Sequence, residues 1–187
     1  MAHFIYFTML DEFKRYLSLT MLQIMNIAYL LIGGNLGNRS ANLQKAIHLI
    51  QQQCGKIVQS SAIYETAAWG LTNQPSFYNQ ALKLETEMPP YQLMQQLLHI
   101  ENGMGRVRTI KLGPRIIDLD ILFFNQLILD STLLKLPHPD LQDRRFALLP
   151  MAEIAPYLEH PVFQKTIETL LKECSDLLDV QKMSIEG

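Results

Sequence analysis

The residues best suited to chemistry lie in one stretch, residues 105–120, where a basic segment leads directly into two carboxylates. The basic residues of this stretch are Arg106, Arg108, Lys111 and Arg115. They are a quarter of the 16 lysines and arginines of the chain, and no acidic residue interrupts them. Arginine can bind phosphate oxygens through two parallel hydrogen bonds, so this composition is typical of a polyphosphate site.

Asp118 and Asp120 stand two residues apart in an apolar stretch that is typical of a β-strand. Because successive side chains of a strand point to opposite faces, both carboxylates project from the same face. Such a pair can hold Mg²⁺ for phosphoryl transfer. A solvated strand face is the alternative for an arbitrary D-x-D pattern. The apolar surroundings and the preceding arginines favour the metal interpretation, since buried carboxylates need a counter-charge.

The sequence lacks the glycine motifs that usually cradle a nucleotide. It contains no G-x-x-x-x-G-K-[ST] pattern, and Gly33, Gly34 and Gly37 do not have the G-x-G-x-x-G spacing. We interpret these three glycines as a tight turn between a strand and a helix. Any phosphoryl transfer would therefore depend on arginines and metal ions.

Hydrophobic periodicity predicts the elements that position these residues. In chain order, we predict a strand over 26–32, a helix capped by Ser40 that ends near Gly55, strands over 56–66 and 77–86, a helix over 91–102, a strand over 116–124, a short hairpin, and helices over 146–154 and 166–174. The β-α-β-β-α-β order predicts an α+β fold, namely a ferredoxin-like βαββαβ sandwich with an additional C-terminal hairpin and helices.

The composition indicates one globular domain. The chain has 187 residues, 48% of them hydrophobic, and a formal net charge of −2, which argues against a basic nucleic-acid-binding protein. No apolar run reaches the roughly 18 residues of a membrane-spanning helix, so we expect no membrane partner. Cys54 and Cys174 are too few for a disulfide framework, which favours a cytoplasmic protein. We interpret residues 1–25 as an extension outside the domain, residues 26–187 as a single domain, and the protein as a monomer.

Several longer segments occur together in a recognisable order. They are A-Y-L-L-I-G-G-N-L-G-N-R, W-G-x-x-x-Q-P-S-F-Y-N-Q, E-x-x-x-G-R-V-R, K-L-G-P-R-I-I-D-L-D-I-L and L-P-H-P-D-L. With these segments the sequence resembles the 6-hydroxymethyl-7,8-dihydropterin pyrophosphokinase family of folate biosynthesis, from about Asn26 to the C-terminal helix. The resemblance implies transfer of the β,γ-diphosphate of ATP to the pterin hydroxymethyl oxygen, with release of AMP.

The resemblance also implies roles for residues on the ATP side. Asp118 and Asp120 match the ligands of two Mg²⁺ ions, and Glu101 matches a supporting acid near the arginines. The catalytic residues that it implies are Arg106, Arg115, Asp118 and Asp120. The ATP contacts that it implies are Arg106, Arg108, Arg115, Ile121, His138 and Arg144. Among these, Ile121 would form an apolar wall for the adenine.

On the pterin side, the resemblance implies a pocket made of Thr66, Trp69, Gly70, Phe77, Asn79 and Phe146. A flat heterocycle needs aromatic faces for stacking and an amide group that reads its polar edge. Phe77 and Phe146 would be the stacking pair, while Asn79 can both donate and accept hydrogen bonds. Without the resemblance, packing in the core is an equal alternative for either phenylalanine.

Two other functions stay open from the residues. The same carboxylates could serve nucleotidyl transfer, in which case free pyrophosphate is released instead of AMP. A non-catalytic module could use the basic segment to dock RNA or an acidic partner. We favour pyrophosphoryl transfer, with ATP and the pterin as small-molecule substrates, and we expect the arginine-rich loop over 103–115 to close over ATP.

Overall fold

The computed structural model describes residues 25–68, 70, 73–106 and 113–183. In chain order, the strands are β1 (Asn26–Gly34), β2 (Lys56–Ser60), β3 (Tyr64–Thr66), β4 (Phe77–Thr86), β5 (Asp118–Phe124), β6 (Leu129–Asp130), β7 (Lys135–Leu136), β8 (Glu159–His160), β9 (Lys165–Thr166) and β10 (Val180–Lys182). The helices are α1 (Arg39–Gln53), α2 (Pro90–Gly103), α3 (Arg145–Ile154) and α4 (Ile167–Glu173).

Six of these strands form one antiparallel sheet. Its order is β10-β3-β4-β1-β5, and β2 pairs with β4 beyond the end of β3. Strand β1 therefore lies between β4 and β5, as the predicted ferredoxin-like order requires, and that prediction is confirmed. The predicted strand over 56–66 is interrupted at 61–63, so it is present as the separate strands β2 and β3. Strands β6 and β7 form the predicted short hairpin.

Helices α1 and α2 cover one face of the sheet. Their apolar stripes supply buried residues to a core shared with β1, β4 and β5: Leu43, Ala46, Ile50, Leu93, Leu97 and Ile100. The start of α1 differs from the prediction. Its cap is Asn38, whose side-chain oxygen accepts a hydrogen bond from the Ala41 amide at 3.1 Å, while Ser40 lies inside the helix.

Helices α3 and α4 cover only part of the opposite face. Their buried residues pack against Tyr29, Leu31, Ala81, Leu122 and Phe123 of the sheet. Beyond this contact, none of the helices in the described part of the chain covers the same sheet face at the end of β1 and the start of β5. The fold thus leaves one corner of the sheet open, next to a layer of helix.

A segment that we name the C-terminal strap, residues 174–183, ties α3 to the edge of the sheet. Oδ2 of Asp176 accepts a hydrogen bond at 3.0 Å from the amide of Arg145, at the start of α3. The carbonyl of Asp179 accepts one at 3.3 Å from the amide of Ala67, and β10 pairs with β3. Among the residues that the structure describes, no helix has the length and apolar composition needed to cross a membrane.

Candidate active site

The register of three strands lines up the polar residues at the open corner of the sheet. Gly33 of β1 is opposite Asp118 of β5 on one side and opposite Asn79 of β4 on the other. Leu31, two residues earlier, is likewise opposite Asp120. Because directly opposite residues share a face of the sheet, the two carboxylates and the Asn79 amide are exposed to the same space.

Gly33 keeps that space open because it has no side chain. A Cβ atom at this position would lie 2.2 Å from Oδ1 of Asn79, and one at Gly34 would lie 2.2 Å from the carbonyl oxygen of Ile116. The interpretation of these two glycines as a tight turn is wrong: both belong to β1, and their neighbours require that they carry no side chain.

A cavity of about 250 Å³ occupies the open corner. It brings together most of the residues that the resemblance implies, and its lining is Leu31, Gly33, Phe77, Asn79, Arg106, Arg115, Asp118, Asp120, His138, Arg144 and Phe146. A smaller adjoining cavity of about 50 Å³ shares five of these residues and adds Thr66 and Ala67. Cations, carboxylates, aromatic rings and one amide therefore face a common space.

Asp118 is held between two arginines. Its Oδ1 accepts a hydrogen bond from Nη1 of Arg106, and Nε of Arg115 lies 2.7 Å from its Oδ2. The same Nη1 of Arg106 also donates to Oε1 of Glu101, which is only 2% exposed. That oxygen further accepts the amide of Leu119 at 2.7 Å. Glu101 thus links α2 to the strand that carries both aspartates.

Asp120 has a different electrostatic environment from Asp118. Removal from water raises the pKa of Asp120, and the neighbouring Asp118 carboxylate raises it further, while Arg144 and Arg115 act in the opposite direction. This carboxylate therefore takes up a proton more readily than an exposed aspartate. A cation bound at the pair would favour the ionised form instead.

His138 and Arg144 form the side of the cavity that faces the carboxylates. Nδ1 of His138 accepts a hydrogen bond from the Asp140 amide at 3.2 Å, so in the neutral ring Nε2 carries the proton. Burial and then the nearby Arg144 lower the pKa of His138 to about 4. The ring is consequently neutral at pH 7 and can donate one hydrogen bond, while Arg144 pairs with Asp140 at 2.7 Å.

The aromatic side of the cavity is formed by two phenylalanines. Phe77 is 7% exposed, and the guanidinium carbon of Arg115 lies 4.8 Å from its ring centroid. The guanidinium carbon of Arg144 lies 5.9 Å from the ring of Phe146. Nδ2 of Asn79 donates to Oγ1 of Thr66 at 2.9 Å, which fixes the amide with its oxygen towards β1.

Some residues implied by the resemblance are not brought to the cavity. Ile121 is buried in the core under α1 and α2, on the sheet face opposite to the aspartates, so its side chain does not form a wall of this cavity. Gly70 has a φ of 81°, but it lines neither cavity. Arg108 and Trp69 lie outside the described residues, as do all of residues 107–112 of the loop that we expect to close.

Asn35 is a site residue that the sequence reasoning missed. Its Oδ1 accepts the amide of Arg115 at 2.8 Å, and its Nδ2 donates to Oε1 of Gln74 and the carbonyl of Pro75. It therefore connects the arginine segment with the chain before β4. Its only signal in the sequence is a polar residue directly after the two glycines of β1.

The donor set suits magnesium that arrives with a phosphate ligand. Among the described residues, no group of three or more His, Cys, Asp or Glu side chains could hold a metal ion. Asp118 and Asp120 supply two carboxylates, and Mg²⁺ is commonly held by one or two carboxylates together with substrate phosphates and water. The residues present therefore fit Mg²⁺ bound jointly with a polyphosphate.

The sheet order defines a ferredoxin-like α+β fold, and its open corner combines carboxylates, cations, aromatic rings and one amide around one cavity. The family model described as 7,8-dihydro-6-hydroxymethylpterin-pyrophosphokinase (HPPK) matches residues 29–156. The chain therefore belongs to the HPPK family. The predicted membership is confirmed.

Relatives of similar length carry the corresponding name. The chain is 37% identical over 149 residues to the 2-amino-4-hydroxy-6-hydroxymethyldihydropteridine pyrophosphokinase of Aquifex aeolicus, covering 80% of this chain and 92% of that protein. It is 39% identical over 135 residues to the Bacillus subtilis protein of the same name, covering 72% and 81%. It is also 41% identical to the folic acid synthesis protein FOL1 of Dictyostelium discoideum, covering 75% of this chain but only 21% of that longer protein.

Solved structures agree on the fold. The crystal structure of wild-type Plasmodium falciparum HPPK-DHPS with pterin and p-hydroxybenzoate superimposes with a TM-score of 0.64 at 20% identity. The match covers 80% of this chain and 42% of that chain, so the chain spans less than half of that protein. At this identity the similarity supports the fold alone.

Proposed function

We propose that this chain transfers the diphosphate group of ATP to the hydroxymethyl oxygen of 6-hydroxymethyl-7,8-dihydropterin in folate biosynthesis. The pterin hydroxyl releases its proton to solvent, its oxygen forms a bond to the β-phosphorus, the bond from that phosphorus to the α,β-bridging oxygen breaks, and AMP leaves with that oxygen. The observation that supports this most is one cavity that is lined both by carboxylates paired with arginines and by two phenylalanines and an amide. Gly33, which has no side chain, lies between Asp118 and Asn79 in the sheet.

On the ATP side, the cations of the cavity bind the polyphosphate. Arg106, Arg115 and Arg144 supply guanidinium groups, and neutral His138 donates from Nε2. Arg108 belongs to the same proposal from its position in the basic segment. These groups neutralise charge on the transferring phosphates, which is the main task of a protein in phosphoryl transfer.

Asp118 and Asp120 would hold two Mg²⁺ ions, which supply Lewis-acid activation of the phosphates and of the attacking hydroxyl when bound. Asp118 must first exchange its arginine partners, since both its oxygens are engaged by Arg106 and Arg115. Glu101 remains as the partner of Arg106 during that exchange and keeps its side chain near the phosphates. Asp120 adds the second carboxylate from the same strand face.

On the pterin side, Phe77 and Phe146 provide the faces between which a flat ring can stack. Asn79 and Thr66 read the polar edge of the ring, with Asn79 oriented by its bond to Thr66. Trp69 and Gly70 belong to the pterin pocket in this proposal on the resemblance alone, since Gly70 lines neither cavity. Closure of the arginine loop would exclude water, so that the diphosphate is transferred to the pterin and not hydrolysed.

The proposal also concerns the molecule as a whole. Residues 26–187 would act as a single pyrophosphokinase domain and residues 1–25 would lie outside it. The partners would be ATP and the pterin, without nucleic acid or membrane, and the protein would be a cytoplasmic monomer.

The test is to incubate the protein with Mg-ATP, with and without the pterin, and to identify the adenine nucleotide formed. Pterin-dependent AMP is the expected product. Formation of ADP or free pyrophosphate would contradict the proposed reaction, although it would still support a nucleotide site in this cavity. An Asp120→Asn variant is the matched control, because it removes one metal ligand and keeps the size of the side chain.

A further inference from the structure

Arg39, a cation outside the cavity, contacts the strands of the proposed pterin pocket from the opposite face of the sheet. Arg39 is the first residue of α1, and its Nη1 lies 2.8 Å from Oε1 of Glu65. The same nitrogen donates to Oγ of Ser76 at 2.8 Å and to the carbonyl oxygen of Ser76 at 2.9 Å. The guanidinium carbon lies 3.7 Å from the ring centroid of Tyr78. One side chain thus contacts three residues on β3, on β4 and just before β4.

These three partners surround one pair of pocket residues. Thr66 and Phe77 are opposite each other on β3 and β4, and both line the smaller cavity. Glu65 and Tyr78 form the adjacent cross-strand pair, and because side chains alternate along a strand they point to the reverse face of the sheet. The third partner of Arg39 directly precedes Phe77. Arg39 therefore contacts the residues on both sides of Phe77.

We propose that Arg39 is a positioning residue for the pterin, which holds the residues on both sides of Phe77 so that the phenyl ring keeps its stacking orientation. This proposal rests on the proposed function, since it takes Phe77 to stack on the pterin. The cluster is suited to the task, because a planar guanidinium can pair with a carboxylate and lie over an aromatic ring at once.

The charge state of the cluster agrees with this role. The hydrogen bond from Ser76 and the one from Arg39 lower the pKa of Glu65, so the carboxylate is ionised at pH 7. Arg39 and Glu65 are 24% and 32% exposed, so water screens the pair only in part. Lysine at position 39 could pair with the carboxylate as a point charge but would lose the flat contact with Tyr78.

Steady-state kinetics of Arg39→Met and Arg39→Lys test the proposal. We expect KM for the pterin to rise about five- to tenfold in Arg39→Met, because small displacements of a contact residue strongly affect a bound ring, while KM for ATP stays within about twofold. Arg39→Lys should recover part of the loss. Lys45→Met, an exposed change on the same helix, is the matched control and should leave both constants unchanged.

A direct binding measurement separates this proposal from the proposed function. Titration of the pterin into each variant without ATP should show the same loss of affinity as KM. If the wild-type chain makes AMP but Arg39→Met binds the pterin normally, the positioning role is wrong and the function stands. If both KM values rise equally, Arg39 only supports the fold and the proposal is overturned. Absence of pterin-dependent AMP from the wild-type chain contradicts the function itself.

Discussion

Replacement of Gly33 by alanine tests whether pterin binding requires a residue without a side chain near the end of β1. The new Cβ would lie 2.2 Å from Oδ1 of Asn79, whereas ordinary contacts begin at 3.4 Å, so the amide must move by more than an ångström. Asn79 is held by a buried hydrogen bond of 2.9 Å to Thr66 and cannot move without weakening it. Overpacking of this kind costs about 1–3 kcal/mol.

The expected result is a selective loss on the pterin side. KM for the pterin should rise about tenfold or more, since a displaced buried amide leaves the polar edge of the ring unpaired. KM for ATP should change little, because the three atoms nearest to the new Cβ belong to Asn79 and Tyr78 and none to the aspartates. Pterin-dependent AMP release measures both constants, and thermal unfolding measures the cost to the fold.

Two other glycines provide the controls. Gly103→Ala should be neutral, because a Cβ there would meet nothing within 4 Å. Gly34→Ala should instead disturb the ATP side, because its Cβ would lie 2.2 Å from the carbonyl oxygen of Ile116, two residues before Asp118. A Gly33→Ala variant with wild-type pterin KM and unchanged thermal stability would refute the reasoning, since the amide would then have room to spare.

Three further predictions concern charged and titrating groups. Asp120→Asn should abolish AMP formation yet raise the free energy of unfolding by about 1 kcal/mol in urea titration, because burial and Asp118 raise the pKa of Asp120; a destabilised variant would contradict this. Glu101→Gln should reduce turnover about tenfold, because Arg106 loses a charged partner; an unchanged kcat would argue against that role. Burial lowers the pKa of His160 below its ordinary value of 6.5, so its neutral form stabilises the fold above pH 6.5 and this contribution falls as the pH decreases below it. Urea unfolding at about pH 7.5 and 5.5 measures this effect: between the two pH values, the free energy of unfolding should fall less in His160→Gln than in the wild type. Equal decreases in the two proteins would contradict the role of His160.

The main elements of the fold could be predicted because each carries its own apolar pattern. The buried positions Leu43, Ala46 and Ile50 recur at helical spacing in α1, and their burial confirms that helix. Strand β10 had no such signal, since its residues are largely polar and exposed, and its pairing depends on the distant β3. The cap of α1 was also wrongly predicted, because the choice between Asn38 and Ser40 depends on which side chain reaches a free amide.

The candidate site was predictable where it follows from strand alternation. Asp118 and Asp120 share a face, as their spacing predicts, and the same alternation places Ile121 on the other face. The role of Gly33 could not be predicted from its own type, since glycine is equally typical of a turn. Position 33 must lack a side chain because a Cβ atom there would collide with Asn79 on another strand. Only the register of the sheet shows that the two residues are opposite each other.

The C-terminal strap has a consequence for how the protein is made. The start of α3, next to two residues of the cavity, is capped by Asp176, and the amide of Ala67 is bound by the carbonyl of Asp179. During synthesis both α3 and Ala67 leave the ribosome before the strap does. Local structure also forms earlier than contacts between residues so distant in sequence. The nascent chain can therefore build its helices and the other five strands of the main sheet before β10. The contacts that tie the start of α3 to the β3 edge of the sheet form only when the strap has been synthesised.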